Sequence, residues 1–209
     1  QSLYAESNLQ MTNSPASRWP WLMLPLRTVL FAAFQALFAL GFLLAGSAAA
    51  WNASTNWWPF AVTAANLVCI ALLVSLYHRE GKRYWDLFRF QRETVKSDLL
   101  ALLGILIISG PIAFLPNFLA ANWLFGDQQI ALALFIRPLP AWAAYASLVI
   151  FPVTIALAEL PTYFAYVMPR LAERTARPWL AVLLAAFFLS AQHIALPLLP
   201  DLRFILWRL

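Results

Sequence analysis

The chain has 209 residues, of which 63% are apolar and only 11% are charged, and its formal net charge is +5. Water-soluble domains carry about 25% charged residues, so this composition excludes a soluble globular domain and indicates an integral membrane protein. The excess of Lys and Arg falls between apolar runs, which is typical of cytoplasmic loops and gives no reason to expect nucleic acid as a partner. The single cysteine, Cys69, excludes an intrachain disulfide and a cysteine-cluster metal site.

The first 18 residues are largely polar and predict a flexible N-terminal segment. Met11 is expected to be the natural start, with residues 1–10 added in front of it. The apolar run after Trp19 is too long for the apolar part of a cleavable signal peptide. Residues 19–209 are therefore expected to form a single transmembrane helical domain.

Five apolar runs are long enough to cross a bilayer, which predicts an all-α polytopic membrane protein with at least five transmembrane helices, some broken by proline. Residues 131–142 are too short to span and are predicted to be interfacial or re-entrant. Arg27 lies near one end of the first run, from which its side chain is expected to reach the headgroups. The predicted spans are residues 21–46, 57–77, 98–120, 141–168 and 179–199.

Lys and Arg are concentrated in two predicted loops, residues 78–97 and 169–178, whereas the other loops carry only Arg137. The positive-inside rule therefore predicts a cytoplasmic N-terminus and two cytoplasmic basic loops, most simply in a bacterial plasma membrane. The first basic loop, which contains Trp85, predicts an amphipathic interfacial helix; a solvated charged loop is the alternative.

Two ionisable residues, Glu159 and His193, each lie inside an apolar run. A charged group at the centre of a bilayer costs roughly 2.5–3.5 kcal/mol on insertion scales, so such residues indicate a functional site. We expect the two side chains to approach within hydrogen-bond distance, directly or through one water. Tyr163 and Tyr166 follow Glu159 on the same helix face and are candidate substrate-binding residues. The alternative is an acid–imidazole hydrogen bond that only joins two helices.

Prolines follow both polar residues. Pro161 cannot donate to the carbonyl of Leu157, and Pro197 cannot donate to the carbonyl of His193. Carbonyls freed in this way are tolerated in a membrane only next to protein groups or water. The pattern therefore predicts a polar or hydrated cavity beside each residue.

The stretch AELPTYFAYVMPRL that begins at residue 158 and the stretch LSAQH that ends at His193 resemble the CPBP family of intramembrane proteases, which includes CAAX prenyl proteases. That family carries EExxxR, then FxxxH, and later a second His with an Asn or Asp four residues on. The likeness is best over residues 158–200, within an expected CPBP-like core of residues 141–200. Glu159 and His193 match the first two motifs.

The sequence departs from these motifs at three positions, and no His follows His193. The departures are Leu160 for the second Glu, Phe164 for the Arg and Leu189 for the Phe. The last residues resemble the start of another apolar segment, which we interpret as truncation before the third motif.

The resemblance implies peptide-bond hydrolysis within the bilayer, with Glu159 as the base that activates water and His193 holding or helping to activate it. We expect no cofactor and no metal, because one Glu and one His fall short of the three protein ligands of a catalytic zinc. The expected partners are the lipid bilayer and either a membrane-embedded peptide or protein substrate or a partner in a membrane complex.

Two other classes of function fit the same sequence. A catalytically inactive pseudoprotease that serves as a membrane partner or scaffold would explain the loss of the second Glu and the Arg. A small-solute transporter would explain an acid on a proline-broken helix, but the chain lacks the paired repeats typical of such proteins.

Overall fold

Helices form the whole framework of the computed structural model, which describes residues 18–88 and 92–209. Those residues contain no strand, so the predicted all-α class is confirmed. The predicted N-terminal segment lies, except for Arg18, outside the described residues. The α-helices are α1 (Trp19–Leu44), α2 (Ala50–Asn56), α3 (Trp58–Arg79), α4 (Val95–Phe125), α5 (Gln128–Phe135), α6 (Ala141–Leu160), α7 (Met168–Thr175), α8 (Pro178–Ala191) and α9 (Leu202–Arg208). The other helical segments are the 3₁₀ turns Tyr84–Phe88 and Gln192–Ile194 and the π-helical segment Pro161–Val167.

Within the described part of the chain, four helices are long and apolar enough to cross a membrane. They are α1, α3, α4 and the rod Ala141–Thr175, in which α6, the π-helical segment and α7 run on without a break. The most apolar window of α4 has no buried residue, as expected for a helix whose sides meet lipid. The chain is therefore a membrane protein, as its composition predicts.

The predicted fifth span is not confirmed as a helix of spanning length. The helical stretch Pro178–Ile194 is shorter than the roughly 20 residues that a bilayer requires. Beyond it the chain continues without regular structure to α9. The side chain of Gln35 donates to the carbonyl of Leu198 and accepts from its N–H, both at 2.8 Å, and Trp51 donates to the same carbonyl at 3.1 Å. The side chains of Gln35 and Trp51 thus supply hydrogen bonds to the backbone of Leu198, which lies outside any helix.

The predicted loop 169–178 is also corrected, because most of it is helix α7. Arg170 in α7 forms a bidentate ion pair with Glu80, which follows α3, and its guanidinium stacks on the ring of Tyr166 at 3.9 Å. The connections that follow α3 and α7 therefore lie at one end of the bundle, which we call the basic end; the opposite end is the far end. Pro169 lies inside the continuous rod and cannot donate to the carbonyl of Ala165, which accepts a hydrogen bond from the Tyr77 hydroxyl at 2.9 Å instead.

In the described part of the connection after α3, the helical structure is a short 3₁₀ turn, Tyr84–Phe88, in place of the longer interfacial helix that we predicted. Trp85 and Leu87 are exposed on this turn, while Tyr84 is buried. Residues 89–91, which belong to the same prediction, lie outside the described residues. The segment predicted to be interfacial between the third and fourth spans contains most of the short helix α5.

A polar layer separates two apolar clusters inside the bundle. One cluster lies toward the basic end and includes Leu24 of α1 and Leu73 of α3. The other includes Phe31 of α1 and Ala65 of α3. The residue that lies between these positions on α1 is Arg27, whose side chain is fully buried.

Candidate functional site

Glu159 lies in the last turn of α6, two residues before the π-helical segment begins at Pro161. The carbonyl that Pro161 frees, that of Leu157, accepts a hydrogen bond from the hydroxyl of Tyr84, and Thr162 Oγ1 donates to the carbonyl of Ala158 at 2.6 Å. The predicted break in helix bonding is therefore present. Side-chain hydroxyls donate to the carbonyls at this break, in place of the polar or hydrated cavity that the sequence suggested.

Arg27 is the centre of the site. Its Nε donates to Oε1 of Gln192 at 2.7 Å, its Nη1 donates to Oδ1 of Asn66 at 2.8 Å, and its Nη2 lies 3.5 Å from Oε2 of Glu159. The prediction that Arg27 reaches the headgroups is wrong, because the side chain is 0% exposed. Position 27 lies more than two turns into α1, where acceptors from three other segments surround it. The three acceptors offset part of the desolvation cost of the buried guanidinium.

Gln192 joins Glu159 to Arg27. Its Nε2 donates to Oε2 of Glu159 at 2.7 Å, while its Oε1 accepts from Arg27. Both contacts of Glu159 therefore end on Oε2. Among the described residues Oε1 accepts no hydrogen bond, and the side chain is 18% exposed. One carboxylate oxygen is thus held by the protein, and the other makes no hydrogen bond within the described residues.

Two further residues complete the hydrogen bonding of this polar cluster of Arg27, Asn66, Glu159 and Gln192. Asn66 Nδ2 donates to Thr154 Oγ1 at 3.3 Å, and the Tyr163 hydroxyl lies 3.5 Å from Gln192 Oε1. In the described part of the chain, no buried side-chain nitrogen or oxygen lacks a partner. The buried atoms of the layer are therefore all satisfied, a condition that buried polar groups require.

His193 makes no hydrogen bond with Glu159 among the described residues, so the expected direct contact is absent. Its Nδ1 lies 3.1 Å from the carbonyl of Ser190. A carbonyl only accepts, so Nδ1 carries the proton and, in the neutral ring, Nε2 is the free acceptor. The carbonyl of His193 itself, which Pro197 frees, is close to Leu196 N at 3.1 Å and Arg208 Nε at 3.4 Å.

The two candidate substrate-binding tyrosines are both buried. Tyr163 belongs to the edge of the polar cluster, whereas Tyr166 packs against Tyr77 and Arg170 near the basic end. They lie in the π-helical segment, where the wider turn changes which side chains share a face. A molecule at Glu159 would meet neither ring without movement of the surrounding side chains.

The carboxylate of Glu159 has one oxygen, Oε1, that makes no hydrogen bond within the described residues. Within residues 18–88 and 92–209, no three side chains of His, Cys, Asp or Glu are grouped closely enough to hold a metal ion. A cation bound at Oε2 would have to displace the donors of Arg27 and Gln192. The arrangement leaves Glu159 Oε1 as the group that can accept a proton from water or from a polar ligand.

Arg27, Asn66, Thr154 and Gln192 are the site residues that sequence reasoning missed. Each is a polar residue inside an apolar run, the same signal that identified Glu159. A membrane-embedded carboxylate needs a cation or several hydrogen-bond donors. Arg27 is the one Lys or Arg within the five predicted spans. That requirement would have directed attention to α1.

No protein-family model, curated protein or solved structure matches the chain. The resemblance to the CPBP family therefore rests on the residues around Glu159 and His193 themselves.

Proposed function

We propose that the chain is an intramembrane endopeptidase-like protein of the CPBP type, in which Glu159 activates water for hydrolysis of a peptide bond inside the bilayer. The observation that supports this most is the 2.7 Å hydrogen bond from Gln192 to Glu159. It brings together the two segments that resemble the family's first two motifs, although they are 33 residues apart in sequence. The substrate is a membrane-embedded peptide or protein.

The roles of the two carboxylate oxygens follow from their contacts. Oε2 is held by Gln192 and Arg27, which fixes the orientation of the group. Oε1 takes a proton from the water molecule while the water oxygen bonds to the scissile carbonyl carbon. The proton then passes from Oε1 to the leaving amine as the C–N bond breaks. The second group that we assign to holding the water is Nε2 of His193, one residue from Gln192, which is the acceptor of the neutral ring when Nδ1 donates to the carbonyl of Ser190.

The proposed orientation has the basic end of the bundle in the cytoplasm and the N-terminus on the same side, in a bacterial plasma membrane. The contact between Arg170 and Glu80 supports the placement of both basic segments on one side. The positive-inside rule then assigns that side to the cytoplasm.

The test is a comparison of new N-termini in membranes of cells that express the wild type or Glu159→Gln. The amide of Gln still offers one oxygen to Arg27 and Gln192 but cannot take a proton, so the cleavage products should disappear while the protein persists. Glu173→Gln is the matched control, because Glu173 is an exposed carboxylate on α7. Identical N-termini in all three samples would refute the hydrolase.

A second candidate is a catalytically inactive partner subunit. The specific observation in its favour is that every buried side-chain nitrogen and oxygen of the polar cluster has a partner, while His193 is bonded to Ser190 and not to Glu159. In that case Glu159→Gln should leave both the membrane N-termini and the set of co-purified membrane proteins unchanged. Glu159→Leu, which removes the acceptor for Arg27, should destabilise the subunit and reduce co-purification.

A further inference from the structure

A cleft at the far end of the bundle is separate from the polar cluster. It lies between the start of α3, the segment after α5 and the first half of α6, and it has a volume of about 420 Å³. Pockets that bind small molecules measure roughly 300–1,000 Å³. The walls are mainly apolar and include Trp58, Phe135, Leu148, Phe151 and Pro152.

Arg137 lines this cleft and is partly buried. Its Nε donates to the carbonyl of Leu134 at 3.1 Å and its Nη1 donates to Asn52 Oδ1 at 2.8 Å. In the described part of the chain, its Nη2 group has no hydrogen-bond partner, and no carboxylate pairs with its guanidinium. Burial lowers the pKa of the guanidinium, as expected for a cation without an anion beside it.

The comparison with Arg203 at the same end makes the difference clear. Arg203 also lies near an aromatic ring, that of Phe125 at 5.1 Å, but it pairs with Asp201 at 3.2 Å. Arg137 therefore offers free N–H donors and positive charge at the mouth of an apolar cleft, whereas Arg203 has an anion of its own.

Aromatic residues place the mouth of the cleft at the level of lipid headgroups. Trp58 stacks on Phe135 at 5.0 Å, and Trp57 contacts Trp142 at 5.9 Å. Tryptophan is enriched at the boundary between the hydrocarbon core and water. A ligand here would have its polar part near Arg137 and its apolar part along α6, toward the membrane interior.

We propose that this cleft binds one membrane phospholipid, with the phosphate on the guanidinium of Arg137 and an acyl chain against Leu148 and Phe151. The unbonded Nη2 group can donate a charge-assisted hydrogen bond to a phosphate oxygen, and a phosphate carries the negative charge that a peptide carbonyl lacks. The apolar walls match a hydrocarbon chain better than a polar peptide. The site does not depend on the proposed hydrolysis at Glu159.

The test is native mass spectrometry of the detergent-purified protein titrated with palmitoyl-oleoyl-phosphatidylglycerol. Arg137→Gln should weaken the first lipid-binding step by about tenfold or more, since it removes the charge-assisted bonds to phosphate. Arg203→Gln is the matched control and should stay within about twofold of the wild type. Ala144→Phe, which fills the cleft while keeping Arg137, should weaken the same step and covers the case in which Arg137→Gln fails to fold.

Palmitoyl-oleoyl-glycerol, which has the same chains but no phosphate, should bind the wild type and Arg137→Gln equally. The proposal is overturned if both cleft variants bind phosphatidylglycerol as tightly as Arg203→Gln does. It is equally overturned if the wild type co-purifies with a peptide in the cleft that phosphatidylglycerol does not displace.

Discussion

Gln192 donates a hydrogen bond to the carboxylate of Glu159 at 2.7 Å, and the same side chain accepts one from the buried guanidinium of Arg27 at 2.7 Å. The amide thus fixes the position of the acid on one side and the cation on the other. Because these groups come from α1, the end of α6 and the turn after α8, the contact fixes three membrane segments relative to one another. It also leaves one oxygen of Glu159 unbound, which is the basis of the proposed chemistry.

Replacing Arg27 by Met should destabilise the protein by about 3–5 kcal/mol, because Gln192, Asn66 and Glu159 would lose a shared donor in a buried layer. Thermal melting in detergent measures the effect. Arg27→Lys should be intermediate, since an ammonium keeps the charge but not the fork of donors.

Arg203→Met is the control for the loss of an arginine as such. The side chain of Arg203 is 60% exposed, so its removal should change stability by no more than about 1 kcal/mol. Equal melting of the Arg27 and Arg203 variants would contradict the buried role of Arg27.

Tyr84→Phe should cost about 1–3 kcal/mol, because it leaves the carbonyl of Leu157 without the hydroxyl that satisfies it. Adding Pro161→Ala should recover part of this loss, since an alanine N–H is available to the carbonyl that proline leaves free. Tyr145→Phe, at a side chain that is 73% exposed, is the control and should be neutral. A double variant no more stable than Tyr84→Phe alone would argue against this explanation.

Alkaline pH should reduce the contribution of Tyr84. Burial, with a smaller effect of Tyr77, raises the pKa of the Tyr84 hydroxyl to about 12, whereas a tyrosine in the unfolded chain titrates near 10. The folded state therefore holds the proton more tightly, and the stabilisation is complete below about pH 10 and lost as the pH rises toward 12.

The quantity to measure is the difference in melting temperature between the wild type and Tyr84→Phe at a series of pH values. It should be constant up to about pH 10 and shrink above it. A difference that stays constant to pH 12 would contradict the assignment, and comparison with Tyr84→Phe removes the effect of other titrating groups.

Single cysteines in a Cys69→Ser background should report the orientation. Positions 83 and 174, at the basic end, should react with a membrane-impermeant maleimide only after the cells are opened, whereas position 127 should react in intact cells. All three side chains are exposed, which makes them accessible to the reagent. Reaction of positions 83 and 127 from the same side would rule out the proposed topology.

The membrane class and a polar environment for Glu159 could be predicted from the sequence, because a carboxylate in an apolar run has a high free-energy cost unless polar groups surround it. Its partner could not. The choice between Gln192 and His193 depends on the end of α8, which tightens into a 3₁₀ turn at Gln192. That turn rotates successive side chains by more than an α-helix does, so α-helical spacing misjudges which of them faces α1.

Arg27 shows a second limit. Its place in the apolar run suggested an arginine that extends to the headgroups, a general habit of long side chains. What overrides this habit is the set of acceptors on α3, α6 and the turn after α8, which only the packing of distant segments brings together. The helix of the predicted fifth span is shorter than expected for a related reason, because Gln35 can satisfy the backbone of Leu198 and so permits a non-helical segment.

The most direct test of the central claim, that the site is built on Glu159 and Gln192, is a pair of double-mutant cycles measured by unfolding in detergent. The first combines Glu159→Leu with Gln192→Leu and the second combines Glu159→Leu with His193→Leu. Hydrogen bonds between membrane helices couple by about 0.6 kcal/mol on average and by up to roughly 1.7 kcal/mol. We expect coupling in this range for Gln192 and coupling close to zero for His193. Coupling to His193 with none to Gln192 would contradict the account.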